Sequence, residues 1–223
     1  QRRHERPPLA LTLGASGSFA RVLWRKMSVM QFKSLDAVVG LVTSLAILLA
    51  LLPVEWQYPL VYQRDNFHWY QLFTTNLIHE NTRHLLSNLV GLLLSGLLAR
   101  RVMSGLQFGM ILVFGLLGAV LAEHALGQPP YLSITVAETR GLSGALHGLF
   151  AASMLYLAVA RDRLALIALC GLVFKVFVEA FQGETLVSNG NVELVAVMGH
   201  FGGTISGLAL AAVLVRSRRA CSN

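Results

Sequence analysis

A small set of polar side chains lies inside otherwise apolar stretches of this chain, and their spacing suggests acyl-transfer chemistry. In "TRGLSGALHGLF" Ser143 is flanked by Gly141 and Gly144, and His147 follows four residues later. In "MGHFGGTISG" His200 follows Gly199, and Gly203 and Gly207 continue the stripe at intervals of four. In "HENTRHLLSN" His84 and Asn88 are four apart, so they share one helical face, with His79 five residues before His84. A serine hydroxyl becomes a nucleophile when a histidine takes its proton, and the same histidine can return that proton to the leaving amine. The oxyanion formed on the attacked carbonyl needs fixed hydrogen-bond donors. The side chains of His84 and Asn88, with the Ser143 backbone N–H, are the candidates. No Asp or Glu adjacent in sequence to Ser143 or His200 completes a triad, so the expected unit is a Ser143–His200 dyad. The competing reading is packing: a serine among glycines, and histidines at helix interfaces, can simply join helices. A single dyad site would explain all these positions together, whereas packing needs a separate reason for each.

Such a site requires elements that bring Ser143, His200, His84 and Asn88 together, and the composition indicates which. The 223 residues are 55% hydrophobic and 13% charged, against about 25% charged in an ordinary soluble domain. The apolar residues come in long blocks rather than at amphipathic spacing, which is the pattern of a polytopic helical membrane protein. Six spans are expected, over roughly 35–52, 73–98, 105–124, 143–160, 164–182 and 193–215. Each is near the ~20 residues needed to cross ~30 Å of hydrocarbon. The longer joins are 53–72, 125–142 and 183–192. The last is polar and rich in Gly and Asn, a candidate mobile cap before the span that carries His200.

Charge placement gives an orientation. Fourteen of the 18 Lys and Arg residues fall on one side if both termini are inside, and only Arg64 and Arg140 fall in outer loops. The expected topology is therefore N-in and C-in. Residues 1–34 read as a basic cytoplasmic tail, in which Met27 or Met30 could be the natural initiator. Residues 35–215 form one domain, and 216–223 a second basic tail. The net charge of +7 belongs to these flanks. No basic face interleaved with aromatics points to nucleic acid, so the expected partners are the lipid bilayer and a membrane-anchored protein. Cys170 and Cys221 form neither a metal motif nor an expected disulfide, and no cofactor is expected.

"GLSG" opening the fourth span, "GHFGGTISG" in the sixth and H-x4-H-x3-N in the second resemble the rhomboid intramembrane serine proteases. The resemblance covers about residues 35 to 215. It implies an all-α, six-span bundle with Ser143 as nucleophile, His200 as base, and His84 and Asn88 as oxyanion side chains. It further implies that Gly141 belongs to the GxSG motif and that Gly203 and Gly207 bring the sixth span against the fourth. His79 would have a structural or water-holding role. Trp69-Tyr70 stands where the family has Trp-Arg, so the usual anchoring of that loop does not carry over. The extended "GLSGALHGLF", and Lys175 with Glu179 in the fifth span, are closer to the rhombosortase branch. That branch is thought to remove a glycine-rich C-terminal anchor, GlyGly-CTERM, from exported proteins at the bacterial inner membrane, with the site facing the periplasm. Lys175 and Glu179, four apart, can neutralise each other as a structural ion pair. The alternative for Glu179 is that it orients His147 to shape a substrate pocket beside Ser143. A general rhomboid protease, an inactive rhomboid-like binder of client spans and a transporter with a histidine proton path are the other functional readings.

Overall fold

A computed structural model of the chain describes residues 34–126, 138–182 and 197–220. The expected cap 183–192, Met27, Met30 and Cys221 lie outside the described residues. Six apolar helices carry the architecture: α1 (Ser34–Ala50), α4 (Thr82–Ala99), α5 (Gly105–Leu126), α6 (Ser143–Val159), α7 (Arg163–Gln182) and α8 (Val197–Ala220). Four of them, α4, α5, α7 and α8, are long and apolar enough to cross a membrane. The other two, α1 and α6, have 17 residues each, or ~26 Å at ~1.5 Å per residue. The chain is thus a multi-pass integral membrane protein. Between α1 and α4 the first loop carries two single-turn helices, α2 (Val54–Gln57) and α3 (Gln71–Thr74), and the short strand β1 (Tyr62–Gln63).

Two boundaries differ from the sequence expectation. The second span begins at Thr82 rather than 73. Asn81 is extended (φ −152°, ψ 167°) and its side chain accepts the His84 backbone N–H at 2.9 Å, a cap that starts the helix there. His79 therefore precedes the span, and His84 and Asn88 occupy its first two turns rather than its middle. At the other end α8 continues through the basic residues to Ala220 instead of stopping near 215. Arg218 holds it in place: the guanidinium lies 5.1 Å over the Tyr156 ring and donates to the Val102 carbonyl at 3.1 Å and to Gln107.

The helices α5, α6 and α8 pack against one another at the centre, with α4 against α6 and α7 against both α6 and α8. Leu92, Phe108, Ile111, Leu142, Leu149 and Ala152 are fully buried there. Leu164, Ile167, Phe174, Phe177 and Phe181 of α7 are exposed, an apolar face suited to lipid. Glycines set the spacing around α8. A Cβ on Gly207 would lie 2.5 Å from the Gly148 carbonyl oxygen, and one on Gly203 would overlap the Gly144 carbonyl. On its other side, Gly202 meets the carbonyl of Gly118 in α5.

A small β-element supplements the helices. Strand β1 pairs antiparallel with β2 (Glu138–Thr139), Tyr62 opposite Thr139 and Gln63 opposite Glu138. It ties the first loop to the segment entering α6. The Thr75 hydroxyl accepts the Tyr62 N–H at 2.9 Å and donates to the Thr139 carbonyl, and the Gly141 N–H donates to the Thr75 carbonyl at 3.1 Å.

Candidate active site

The polar residues singled out in the sequence come together at one end of the bundle. The N-terminal ends of α4, α6 and α8 meet there with the C-terminal ends of α5 and α7, because successive helices run in alternating directions. Ser143 is the first residue of α6. Its backbone N–H, like the others of that first turn, has no acceptor within the helix, and the helix dipole is positive there. His200 lies in the first described turn of α8. Its Nε2 is 3.0 Å from Ser143 Oγ, within hydrogen-bond reach of a base and its nucleophile.

The segment before Ser143 is shaped by one glycine. Gly141 has φ +97°, a left-handed conformation that disfavours side chains. A Cβ there would lie 2.8 Å from both Cε1 and Nε2 of the His84 ring and 3.1 Å from Asn88 Nδ2. His84 and Asn88 thus rest directly against the turn that presents Ser143. Asn88 is 5% exposed and its Nδ2 has no hydrogen-bond partner among the described residues. An orphaned buried donor is unusual, and here it lies beside the serine's turn.

His79 packs edge-on against His84, ring centroids 5.1 Å apart, and its Nδ1 donates to the Leu77 carbonyl at 3.1 Å. Burial, reinforced by the nearby His84, pushes the His79 pKa down to about 4 despite that bond. The residue borders a cavity of about 280 Å³ also lined by Gln57, Glu80, Asn81 and Arg140.

His147 and the Lys175–Glu179 pair lie on the other side of Ser143. His147 Nδ1 donates to the Ser143 carbonyl at 2.7 Å, which leaves Nε2 as an acceptor facing Lys175 Nζ at 3.4 Å. Lys175 Nζ donates to Glu179 Oε2 at 2.7 Å. Lys175 thus bridges Glu179 and His147. The neighbour of Glu179 Oε2 on the dyad side is His200 Nδ1, 3.6 Å away. The His147 and His200 rings stack, with centroids 4.2 Å apart and planes 18° from parallel.

Four supporting residues, Glu123, Arg64, Tyr62 and His124, were not singled out as site residues from the sequence. Glu123, 1% exposed near the end of α5, accepts the Gly199 N–H at 3.1 Å and so fixes the turn that carries His200. Arg64 donates to the Glu123 carbonyl at 2.6 Å and to the His124 carbonyl at 2.9 Å. Tyr62 Oη and His124 Nδ1 are 2.9 Å apart. These contacts anchor the first loop on α5, while Trp69 is largely exposed. An arginine does tie down this loop, but from a different position than the missing Trp-Arg pair. A buried carboxylate near the end of an apolar span was the one available hint for Glu123.

No curated protein matches the chain. The model of the Rhomboid domain matches residues 66–217. That range runs from the first loop to near the end of α8 and contains His79, His84, Asn88, Glu123, Ser143, His147, Lys175, Glu179 and His200. With more than half of its length matched, the chain belongs to the rhomboid family, which is known for intramembrane serine proteases.

Proposed function

We propose that the chain is an intramembrane serine endopeptidase that uses Ser143 and His200, and the observation that carries this reading is the 3.0 Å approach of His200 Nε2 to Ser143 Oγ. Ser143 Oγ attacks the scissile carbonyl as its proton passes to His200 Nε2. Asn88 Nδ2, the His84 ring and the Ser143 N–H receive the developing oxyanion. The intermediate collapses when His200 hands its proton to the leaving amine, and water, activated by the same histidine, releases the acyl group. The polar cavity bordered by His79 supports a water supply on this side. At ~26 Å, α6 is shorter than a ~30 Å hydrocarbon layer, which favours a serine set below the membrane surface.

The substrate we assign is a membrane-anchored exported protein, cut at or near a glycine-rich C-terminal anchor of the GlyGly-CTERM type, as in the rhombosortase branch. Support comes from His147, which bonds the Ser143 carbonyl, and from Lys175 and Glu179 beyond it on the same side. Each Gly lowers helix stability by roughly 1 kcal/mol relative to Ala, so a glycine-rich stretch more readily exposes its carbonyls. The orientation we assign has six spans over 35–215, both basic ends in the cytoplasm, and the site facing the periplasm of a bacterial inner membrane. The test is cleavage in liposomes of two single-span substrates, identical except that one carries the glycine-rich motif before its anchor. The reading predicts a cut at the glycine motif by wild type and none by Ser143→Ala. Equal cutting of both would leave a general rhomboid protease, and cutting of neither would indicate a binder of client spans.

A further inference from the structure

We propose that Glu179 is the third member of the unit, a positioning residue that fixes the tautomer of His200 and stabilises its charged form. The inference rests on the protease reading and deepens it. His200 Nδ1 is buried and makes no hydrogen bond among the described residues, and Glu179 Oε2 is 3.6 Å from it. The two residues are 7% and 1% exposed, so water is largely excluded from both. A neutral imidazole carries one N–H, and only the Nδ1–H tautomer leaves Nε2 free to take the Ser143 proton. A carboxylate facing Nδ1 selects that tautomer. As His200 takes the serine proton the ring becomes positive, Nδ1–H remains in place, and the gap to Oε2 closes to a charge-assisted bond of about 2.7–2.9 Å. The proton then leaves from Nε2 to the departing amine. Glu179 takes up no proton at any step.

The surrounding groups form a closed circuit that holds this geometry. It runs from Ser143 Oγ to His200 and Glu179, on to Lys175 and His147, and back to the Ser143 carbonyl. Lys175 supplies the countercharge for Glu179 while engaging the same carboxylate oxygen that faces His200. The stacked His147 ring limits rotation of His200, and Glu123 fixes the backbone one residue before it. The circuit joins α6, α7 and α8, so Lys175 and Glu179 are more than a local ion pair.

The experiment combines kinetics with histidine ¹⁵N NMR on the full chain in nanodiscs. Glu179→Gln preserves shape but can donate to Nδ1, which favours the wrong tautomer. We expect kcat to fall about 10²- to 10⁴-fold with KM within about 3-fold, the pattern of losing the orienting carboxylate of a triad. Glu179→Asp, which retains the charge, should recover part of the loss. In wild type, His200 should be the Nδ1–H tautomer, with that population reduced in Glu179→Gln. A wild-type His200 protonated on Nε2, or a Glu179→Gln enzyme with kcat within about 3-fold of wild type, overturns the proposal. The NMR arm applies even if the variant folds poorly, because it reads the unmodified chain. Activity surviving in Ser143→Ala would instead refute the protease reading, and the tautomer result would still stand by itself.

Discussion

Gly207→Ala tests whether helix spacing, rather than local chemistry at the site, holds Ser143 and His200 together. Gly207 is seven residues, about two helical turns, beyond His200 and touches neither reacting atom. A Cβ there would meet the Gly148 carbonyl oxygen at 2.5 Å, its Cα at 2.6 Å and its carbonyl carbon at 2.7 Å, all backbone atoms that no rotamer change can move aside. Ordinary contact begins at 3.4 Å, so α8 must back away from α6 by roughly 0.7–0.9 Å. Carried along a rigid helix, that shift stretches the 3.0 Å Ser143–His200 contact toward about 3.8 Å, beyond hydrogen-bond range. Misplacement of about 1 Å costs on the order of 10²-fold in rate, and overpacking costs about 1–3 kcal/mol of stability. The greater helix propensity of Ala offsets up to about 1 kcal/mol of that, so activity should suffer far more than stability. The assay is kcat/KM in liposomes together with a thermal melt. Gly171→Ala is the control: it makes the same chemical change on α7, where a Cβ meets nothing within 4 Å, and should leave activity unchanged. A folded Gly207→Ala protein with activity within about twofold of wild type would show that this helix spacing does not hold the pair together, as would an equal loss in Gly171→Ala.

Two other perturbations address the serine's surroundings. Asn88→Ala removes the orphaned donor beside Gly141, and we expect kcat to fall about 10²- to 10³-fold with little change in KM; a change confined to KM would assign Asn88 to substrate binding instead. His79 is held neutral to about pH 4, whereas an unfolded histidine takes up its proton near 6.5. The unfolded state therefore binds more protons between these values, and this residue makes the fold lose stability as pH falls from about 6.5 to 4, with no effect above. The melting temperature of wild type should drop more steeply over that window than that of His79→Asn, and parallel curves would contradict the assignment.

The helical blocks were legible because hydrocarbon demands about 20 apolar residues per crossing, and no other pattern in the chain competes with that signal. The glycine stripe at 199, 203 and 207 was equally direct: four-residue spacing on an apolar helix specifies one close-packed face. Boundaries set by single side chains were harder to read. The Asn81 cap starts α4 nine residues after the apolar pattern does, and Arg218 extends α8 by docking on Tyr156. Contacts between distant segments left no local trace. Glu179 and His200 are on different helices with a 21-residue separation, so no spacing rule links them, and the i,i+4 Lys175 offered a sufficient partner nearby. Arg64 likewise takes over an anchoring task by reaching α5 from a position that no motif marks.

The central claim is that Ser143 is a nucleophile activated by His200. The most direct measurement is treatment of the membrane-embedded protein with a fluorophosphonate, followed by peptide mapping. A single adduct on Ser143 Oγ is expected, lost in Ser143→Ala and strongly slowed in His200→Ala. A folded wild-type protein that forms no adduct, or labels equally well without His200, would contradict it.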